Sequence, residues 1–173
     1  LTLPEQPKKM IVVGSGAIGI EFAYFYNAMG TEVTIVEFMP NIVPVEDEDI
    51  SKQLEKSLKK SGINIMTSAE VTKVDTSGKG VKAFVKTAKG EEVLEADILL
   101  SAVGIKTNIE NIGLEAVGIK TERDKIQVNE FYQTNVPGYY AIGDVVPGQA
   151  LAHVASAEGI LCVEKIKGLH VEP

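Results

Sequence analysis

The sequence has few of the side chains that most often serve as nucleophiles, acid–base groups or metal ligands. Cys162 is its one cysteine, and His153 and His170 are its only histidines. A single thiol can form neither an internal disulfide nor a cysteine-based zinc site, and no motif places either histidine in a Ser/His/Asp or Cys/His arrangement. We therefore predict no catalytic residue and no metal site in this chain, and we expect Cys162 to be a small buried side chain of a helix.

Positive charge and long apolar runs are also scarce. The formal net charge is −7 and the sequence has no basic stripe, which argues against a nucleic-acid partner because such proteins neutralise phosphates with lysine and arginine. No apolar run is long enough to cross a bilayer, and no signal-peptide pattern opens the chain. We expect a cytoplasmic protein that binds neither nucleic acid nor membrane.

Glycine, by contrast, is placed with a clear pattern near the start of the chain. Gly14, Gly16 and Gly19 have the spacing of a dinucleotide-binding loop. Gly14 allows a tight turn, Gly16 lets the backbone approach a pyrophosphate, and Gly19 lets the following helix lie close to the sheet. The amides at the helix N-terminus are suited to phosphates.

The residues on both sides of this loop support the same interpretation. Met10–Val13 is a β-branched apolar run that predicts a buried parallel strand, and Thr31–Val36 predicts a second strand. Between them, Ile18, Phe22, Phe25 and Met29 follow helical spacing and predict the apolar face of a helix.

Glu37 ends the second predicted strand, where an acid can accept hydrogen bonds from a ribose 2′-hydroxyl. It would repel a 2′-phosphate, and the following Phe38-Met39-Pro40 offers no cation. The pattern therefore favours NAD(H) over NADP(H).

The next part of the chain predicts the rest of an α/β domain. A helix is expected around Ile50–Leu58, after an acidic start, and a strand at Ile63–Met66. Three short strands with glycine turns follow and predict an antiparallel meander; they are Glu70–Asp75, Val81–Thr87 and Glu92–Glu95. Asp97–Gly104 predicts a further parallel strand that ends near the same ligand crevice, so the fold class is α/β with a doubly wound, Rossmann-like parallel sheet.

The C-terminal part contains a second pairing of glycine and acid. Tyr139–Ile142 predicts a strand that Gly143-Asp144 leaves, and Leu151–Gly168 predicts a helix with Ala155, Ile160, Val163 and Ile166 among its apolar positions.

Three motifs occur in order along the chain: Gly14–Glu21, Ser101–Asn108 and Tyr139–Asp144. Together they resemble the flavoprotein pyridine-nucleotide disulfide oxidoreductases, and within that family the dihydrolipoamide dehydrogenases. The resemblance covers essentially the whole chain. It implies an NAD-binding domain at residues 1–120 and, at residues 121–173, a returning and incomplete C-terminal part of a FAD-binding domain.

The resemblance also implies roles in NAD binding. Glu37 would bind the adenosine ribose, Val71 would contact the adenine side through its backbone, Gly104 would line the crevice, and Glu21 would lie near the nicotinamide. The loop residues implied to bind NAD are Gly14, Ser15, Gly16, Ala17, Ile18 and Gly19. Glu21 also fits a simple helix acid, and that alternative stays open.

For FAD, the resemblance implies a second set of residues. Asp144, next to Gly143, would bind the ribityl chain, and a helix N-terminus would approach the flavin ring; that N-terminus comprises Ala150, Leu151, Ala152 and His153. Asp144 alone would also suit a turn before Pro147-Gly148, and His153 alone would suit a packing or capping role.

The family's redox-active cysteine pair, its first FAD glycine fingerprint and its acid–base His-Glu pair have no counterpart in this sequence. Because the chain opens on Leu1 and a linker-like segment, we expect a central fragment of a longer polypeptide. The parent enzyme is implied to oxidise dihydrolipoamide through a disulfide and FAD and to pass hydride to NAD. It is also implied to be a homodimer that serves 2-oxoacid dehydrogenase complexes.

We expect the fragment to bind NAD, to be inactive alone, and to retain FAD poorly without the parent's remaining domains. Segment Tyr139–Ile166 should leave an apolar patch, find a substitute partner or be disordered. The alternatives are a related NADH-dependent flavoprotein reductase or oxidase, and a stand-alone NAD-sensing module.

Overall fold

The protein, described here by a computed structural model of residues 3–173, divides into two compact units. The first ends at Ile105 and the second runs from Lys106 to Pro173. Each unit is described by itself.

The first unit contains two sheets and two helices. In chain order its elements are β1 (Lys9–Val13), α1 (Ala17–Ala28), β2 (Glu32–Val36), α2 (Glu48–Lys60), β3 (Asn64–Met66), β4 (Glu70–Asp75), β5 (Val81–Thr87), β6 (Gly90–Ala96) and β7 (Ile98–Ser101). Four strands form a parallel sheet in the order β3-β2-β1-β7, and the other three form the antiparallel sheet β4-β5-β6. The predicted fold class is confirmed.

The parallel sheet is buried on both faces. Met10 and Val12 of β1 belong to a core cluster that includes Ile20 and Ala23 of α1. Ile11, which points the opposite way, belongs to a second cluster that includes Ala83 and Val85 of the antiparallel sheet. This double coverage explains why β1 is a continuous apolar run rather than an alternating one.

Helix α1 forms as predicted, but the predicted buried face is wrong. Its buried residues are Gly19, Ile20 and Ala23, whereas Ile18, Phe25 and Met29 are 48%, 56% and 58% exposed. Gly19 has no side chain and Ala23 has only a methyl group, so the helix can lie close to the sheet on this face. The larger apolar residues then point away from the sheet.

Helix α2 shows the same kind of difference. Asp47 caps its N-terminus by accepting a hydrogen bond from the Asp49 amide at 2.9 Å. Ser51 and Leu58 are buried, but Ile50, predicted on the apolar face, is mostly exposed.

The second unit has little regular structure. Its elements are α3 (Leu114–Val117), the hairpin of β8 (Thr121–Glu122) and β9 (Lys125–Ile126), a 3₁₀ turn at Gly143–Val145, and α4 (Ala152–Ile166). Its small core is built around Leu114, Ile126 and Val146.

The strand predicted at Tyr139–Ile142 is wrong. Within the described chain Tyr140 forms only an isolated antiparallel bridge with Gln133, and no ladder follows. The Thr134 amide donates to the Tyr139 carbonyl and the Ala141 amide donates to the Tyr132 carbonyl, so the pairing is limited to this short contact and does not extend into a strand.

The predicted helix near the C-terminus is confirmed as α4, and the prediction for Cys162 is confirmed too. Cys162 is buried, and burial raises the pKa of its thiol. The apolar residues Ile160, Val163 and Ile166 are 62%, 64% and 55% exposed, so α4 leaves an apolar face uncovered. No helix among residues 3–173 combines the length and the apolar character needed to cross a membrane.

Candidate functional site

A cleft of about 450 Å³ opens at the carboxyl ends of β1, β2 and β7, and we call it the carboxyl-edge cleft. Parallel strands bring their carboxyl ends to one edge, which is where ligands bind in open α/β sheets. Six of the residues predicted to bind NAD line this cleft: Gly14, Ser15, Gly16, Glu37, Val71 and Gly104. They come from four separate stretches of the sequence. A groove of about 480 Å³ beside Lys59, Asn64 and Leu94 includes none of the predicted site residues.

The glycine loop is shaped by close backbone contacts. The Gly14 amide donates to the Val36 carbonyl at 2.9 Å. Gly14 has φ +95°, and a Cβ there would lie 2.5 Å from the Ala102 carbonyl oxygen. A Cβ on Gly19 would lie 2.2 Å from the Gly14 carbonyl oxygen. Neither position has room for a side chain, so the loop and α1 can pack this closely only with glycine at both sites.

Gly16 lies in a different environment. A Cβ on Gly16 would meet no atom within 4 Å. Gly16 is the N-cap residue of α1, and within the described residues no side chain accepts a capping hydrogen bond from the first turn of this helix. Among the described residues, the N-terminus of α1 therefore has no side-chain cap and no neighbour crowding Gly16, which suits a phosphate-binding helix N-terminus.

Glu37 is one of two acids that line the carboxyl-edge cleft, the other being the exposed Glu70, and the protein holds both oxygens of the Glu37 carboxylate. Its Oε2 accepts hydrogen bonds from the Ser15 amide at 2.7 Å and from Ser15 Oγ at 2.6 Å. Its Oε1 accepts one from the Met39 amide at 2.7 Å. Because an ionised carboxylate has about four lone-pair sites, these three donors leave capacity for a ligand hydroxyl.

The four other residues predicted to bind NAD lie on α1 without lining the carboxyl-edge cleft. Ala17 and Ile18 begin the helix and are exposed, and Glu21 is exposed one turn further along. Gly19 supports the glycine loop from beneath.

The predicted FAD residues all lie in the second unit. Gly143 and Asp144 begin the 3₁₀ turn, and Asp144 is exposed. The residues Ala150, Leu151, Ala152 and His153 lie at the exposed start of α4. Within the described residues no side chain caps this helix.

Two side chains that sequence reasoning missed hold the Gly143-Asp144 turn. Buried Glu158 of α4 accepts a hydrogen bond from the Gly143 amide at 2.6 Å, and Lys125 Nζ donates to the Asp144 carbonyl at 2.6 Å. The signal for Glu158 is an acid on the same helical face as Cys162, four residues before it.

Sequence reasoning also missed the bonds from Ser15 to Glu37 and the bond from Val43 to Ser15. The Val43 amide donates to the Ser15 carbonyl at 2.9 Å, and Val43 has φ +39°. A positive φ is an outlier for a β-branched residue, and no sequence pattern announces it. Among residues 3–173, no group of His, Cys, Asp and Glu side chains could hold a metal ion.

Protein-family and sequence comparisons identify the same family for this chain. Residues 1–159 match the family described as pyridine nucleotide-disulphide oxidoreductase. A dihydrolipoyl dehydrogenase from Rhizobium etli is 53% identical over 164 residues, which is 94% of this chain and 34% of that protein.

Solved structures match over nearly the full chain. LpdA from Mycobacterium tuberculosis has a TM-score of 0.89 at 32% identity over 99% of this chain and 37% of its own. An NAD-dependent persulfide reductase from A. fulgidus has a TM-score of 0.85 at 30% identity over 95% of this chain and 32% of its own. This chain therefore spans about a third of the length of these relatives. With the family match covering most of its residues, the chain belongs to the pyridine nucleotide-disulphide oxidoreductase family.

Proposed function

We propose that the first unit binds NAD(H) in the carboxyl-edge cleft. The observation that carries this proposal is the meeting of the glycine loop, Glu37, Val71 and Gly104 around one cleft. A dinucleotide needs an anion site, a ribose acceptor and an apolar wall within one crevice, and this cleft has a candidate for each.

The chemistry of the cleft fits NAD(H) in detail. The open space before α1 suits the pyrophosphate because helix amides and the helix dipole favour anions. The Glu37 carboxylate suits the ribose diol, and its charge would repel a 2′-phosphate. Phe38, Met39 and Val71 supply an apolar wall on the adenine side.

For the second unit, we infer a contribution to a flavin site in a longer protein. Glu158 and Lys125 hold the backbone of the Gly143-Asp144 turn, and the exposed Asp144 carboxylate on that turn is a candidate hydrogen-bond acceptor. The start of α4 would supply backbone amides. We propose that the NAD segment ends near residue 120. The division into compact units falls earlier, after Ile105.

The parent protein is proposed to be a dihydrolipoamide dehydrogenase that works as a homodimer with 2-oxoacid dehydrogenase complexes. When bound, FAD and NAD would supply the electron and hydride transfer. This chain's residues would position NAD(H) and part of the flavin. The chain alone is proposed to be inactive with dihydrolipoamide and to hold no stoichiometric flavin, since it has one cysteine and part of a flavin site.

The proposal is tested by titrating the 173-residue chain with NADH and NADPH and following nicotinamide fluorescence. We expect saturable NADH binding that is at least about tenfold tighter than NADPH binding, in line with the penalty for a phosphate beside Glu37. Absence of NADH binding by a folded sample, or equal affinity for NADPH, would contradict it.

A related reductase with another terminal substrate is the second candidate. It is favoured by the structural match to a persulfide reductase, in which a similar segment serves a different substrate. Steady-state assays of the natural full-length product with dihydrolipoamide and with a persulfide distinguish the two. A natural gene product no longer than this chain would instead favour an NAD-sensing module.

A further inference from the structure

Ser15 lies inside the glycine loop and is fully buried. Both of its hydrogen-bond donors point to one atom, Glu37 Oε2: the amide at 2.7 Å and the hydroxyl at 2.6 Å. The hydroxyl bond joins a neutral donor to a carboxylate, which is the stronger class of hydrogen bond.

The hydroxyl is not needed to build the glycine turn. The tight packing of the loop depends on Gly14 and Gly19, where no side chain has room. An alanine at position 15 would have the same Cβ and would fill nearly the same buried space. What distinguishes serine from alanine here is the bond to Glu37.

The surrounding contacts make Ser15 a fixed support. The Val43 amide donates to the Ser15 carbonyl at 2.9 Å, so the loop that follows β2 holds Ser15 from the other side. The Met39 amide holds Glu37 Oε1. The carboxylate is therefore fixed at both oxygens, and one of the three donors is a side chain that can be removed alone.

We propose that Ser15 is a positioning residue that sets the Glu37 carboxylate for the 2′-hydroxyl of the adenosine ribose. This inference rests on the proposed NAD(H) site. Ser15 does not touch the ribose; it limits the rotation of the carboxylate and so lowers the cost of ordering it when the ligand binds.

The test compares two ligands in two variants. Ser15→Ala and Ser15→Gly both remove the hydroxyl, and the ligands are NADH and an NADH analogue that lacks the adenosine 2′-hydroxyl. We expect each variant to bind NADH roughly fivefold to tenfold more weakly, because the carboxylate must then be ordered when the ligand binds. Binding of the 2′-deoxy analogue should change less than about twofold, because that ligand does not use the positioned oxygen.

The decisive quantity is the affinity for NADH divided by the affinity for the 2′-deoxy analogue, since this ratio does not depend on the fraction of protein that is folded. A fall of that ratio in both variants supports the proposal. An equal loss for both ligands, or no loss for either, overturns it and leaves Ser15 a loop-filling residue. Failure of the unaltered chain to bind either ligand would instead refute the NAD(H) site itself.

A double-mutant cycle adds an independent check. In a Glu37→Ala background, which removes the acceptor of both Ser15 bonds, Ser15→Ala should change NADH affinity by less than about twofold, because the two residues act as one unit. An undiminished loss in that background would show that Ser15 acts by another route and would overturn the proposal.

Discussion

The two units of this chain differ in how fully they bury their own apolar residues. The first unit encloses a parallel sheet between helices and a meander, and Val12, Val33 and Ile35 are completely buried. In the second unit α4 buries Glu158 and Cys162 and leaves Ile160 mostly exposed. The first unit has two core clusters of buried residues, whereas the second has one small cluster around Leu114, Ile126 and Val146, so the second unit is the less complete of the two.

The same difference holds for the two predicted nucleotide sites. The carboxyl-edge cleft brings together the predicted glycines, acid and backbone positions within the first unit. The Gly143-Asp144 turn is held by two side chains, but Asp144 and the start of α4 at Ala150–His153 are exposed. This difference supports the proposal that the first unit binds a nucleotide alone and that the second unit only contributes to a site.

The largest expected effect comes from the same substitution made in each unit. Ile35→Ala removes a fully buried side chain of β2 and should cost about 2–5 kcal/mol of unfolding free energy. Ile160→Ala changes an exposed position of α4 and should stay within about 0.5 kcal/mol. Urea unfolding followed by circular dichroism measures both. Similar costs for the two variants would remove the distinction between the units.

A second matched pair uses a helical glycine in each unit. Gly19→Ala would place a Cβ 2.2 Å from the Gly14 carbonyl oxygen, and overpacking of this kind costs about 1–3 kcal/mol or more. It should also weaken NADH binding, because the loop must move. Gly159→Ala meets only the end of the Ile142 side chain, at 3.1 Å, and should gain up to about 1 kcal/mol from helix propensity. Thermal unfolding should show a lower midpoint for Gly19→Ala and a higher midpoint for Gly159→Ala than for the unaltered chain.

Much of the first unit could be predicted because its signals are local. The bounds of β4 and β5 follow from alternation between glycine turns. The strand at Tyr139–Ile142 could not be judged locally, since a strand depends on a partner elsewhere in the chain. The buried face of α1 was mispredicted because apolar spacing gives weight to Phe25, whereas packing there is governed by the small Gly19.

The candidate site divides in the same way. The glycine fingerprint and Glu37 are readable because their spacing is fixed by a strand–helix–strand unit. The bond from Ser15 to Glu37 could not be predicted from the sequence, since it depends on a loop in which Val43 adopts φ +39°. Glu158 was missed for a related reason: an acid in a helix pattern looks solvent-exposed until the turn that it binds is known.

A third prediction concerns the acids of the carboxyl-edge cleft. Glu37→Gln removes the charge at the ribose position and should weaken NADH binding roughly tenfold, without a matching loss for NADPH. Glu70 lines the same cleft and is exposed, so Glu70→Gln is the matched control and should change affinity less than about twofold. Equal losses for the two variants would assign the effect to general charge instead of ribose binding.

The smallest expected effect is a dependence of stability on pH. The Asp97 carboxylate accepts hydrogen bonds from the Lys9 and Lys8 amides at 2.9 and 2.8 Å, and these bonds hold its pKa below the ordinary value of 3.8. A lowered folded-state pKa contributes stability above the unfolded value, and that stability is lost as pH falls through the folded value. Asp97→Asn should therefore be less stable than the unaltered chain at neutral pH.

That difference should shrink as the pH falls below the unfolded value of about 3.8 and toward the lower folded-state pKa, because Asp97 then becomes protonated. The control in the second unit is Glu110→Gln, which removes an exposed pair with Lys106 that also lowers the Glu110 pKa. We expect no measurable change from it, because exposed pairs between neighbouring turns contribute little. Thermal unfolding between pH 3 and pH 7 compares the two; a loss for Asp97→Asn that persists at the acid end would contradict the electrostatic explanation.

The most direct test of the central claim is hydrogen–deuterium exchange of the 173-residue chain with and without NADH. If the first unit binds the nucleotide alone, NADH should slow exchange in peptides that contain Gly14–Gly19, Glu37, Val71 and Gly104. Exchange across residues 106–173 should not change. Protection confined to the second unit, or no protection at saturating NADH, would contradict the claim.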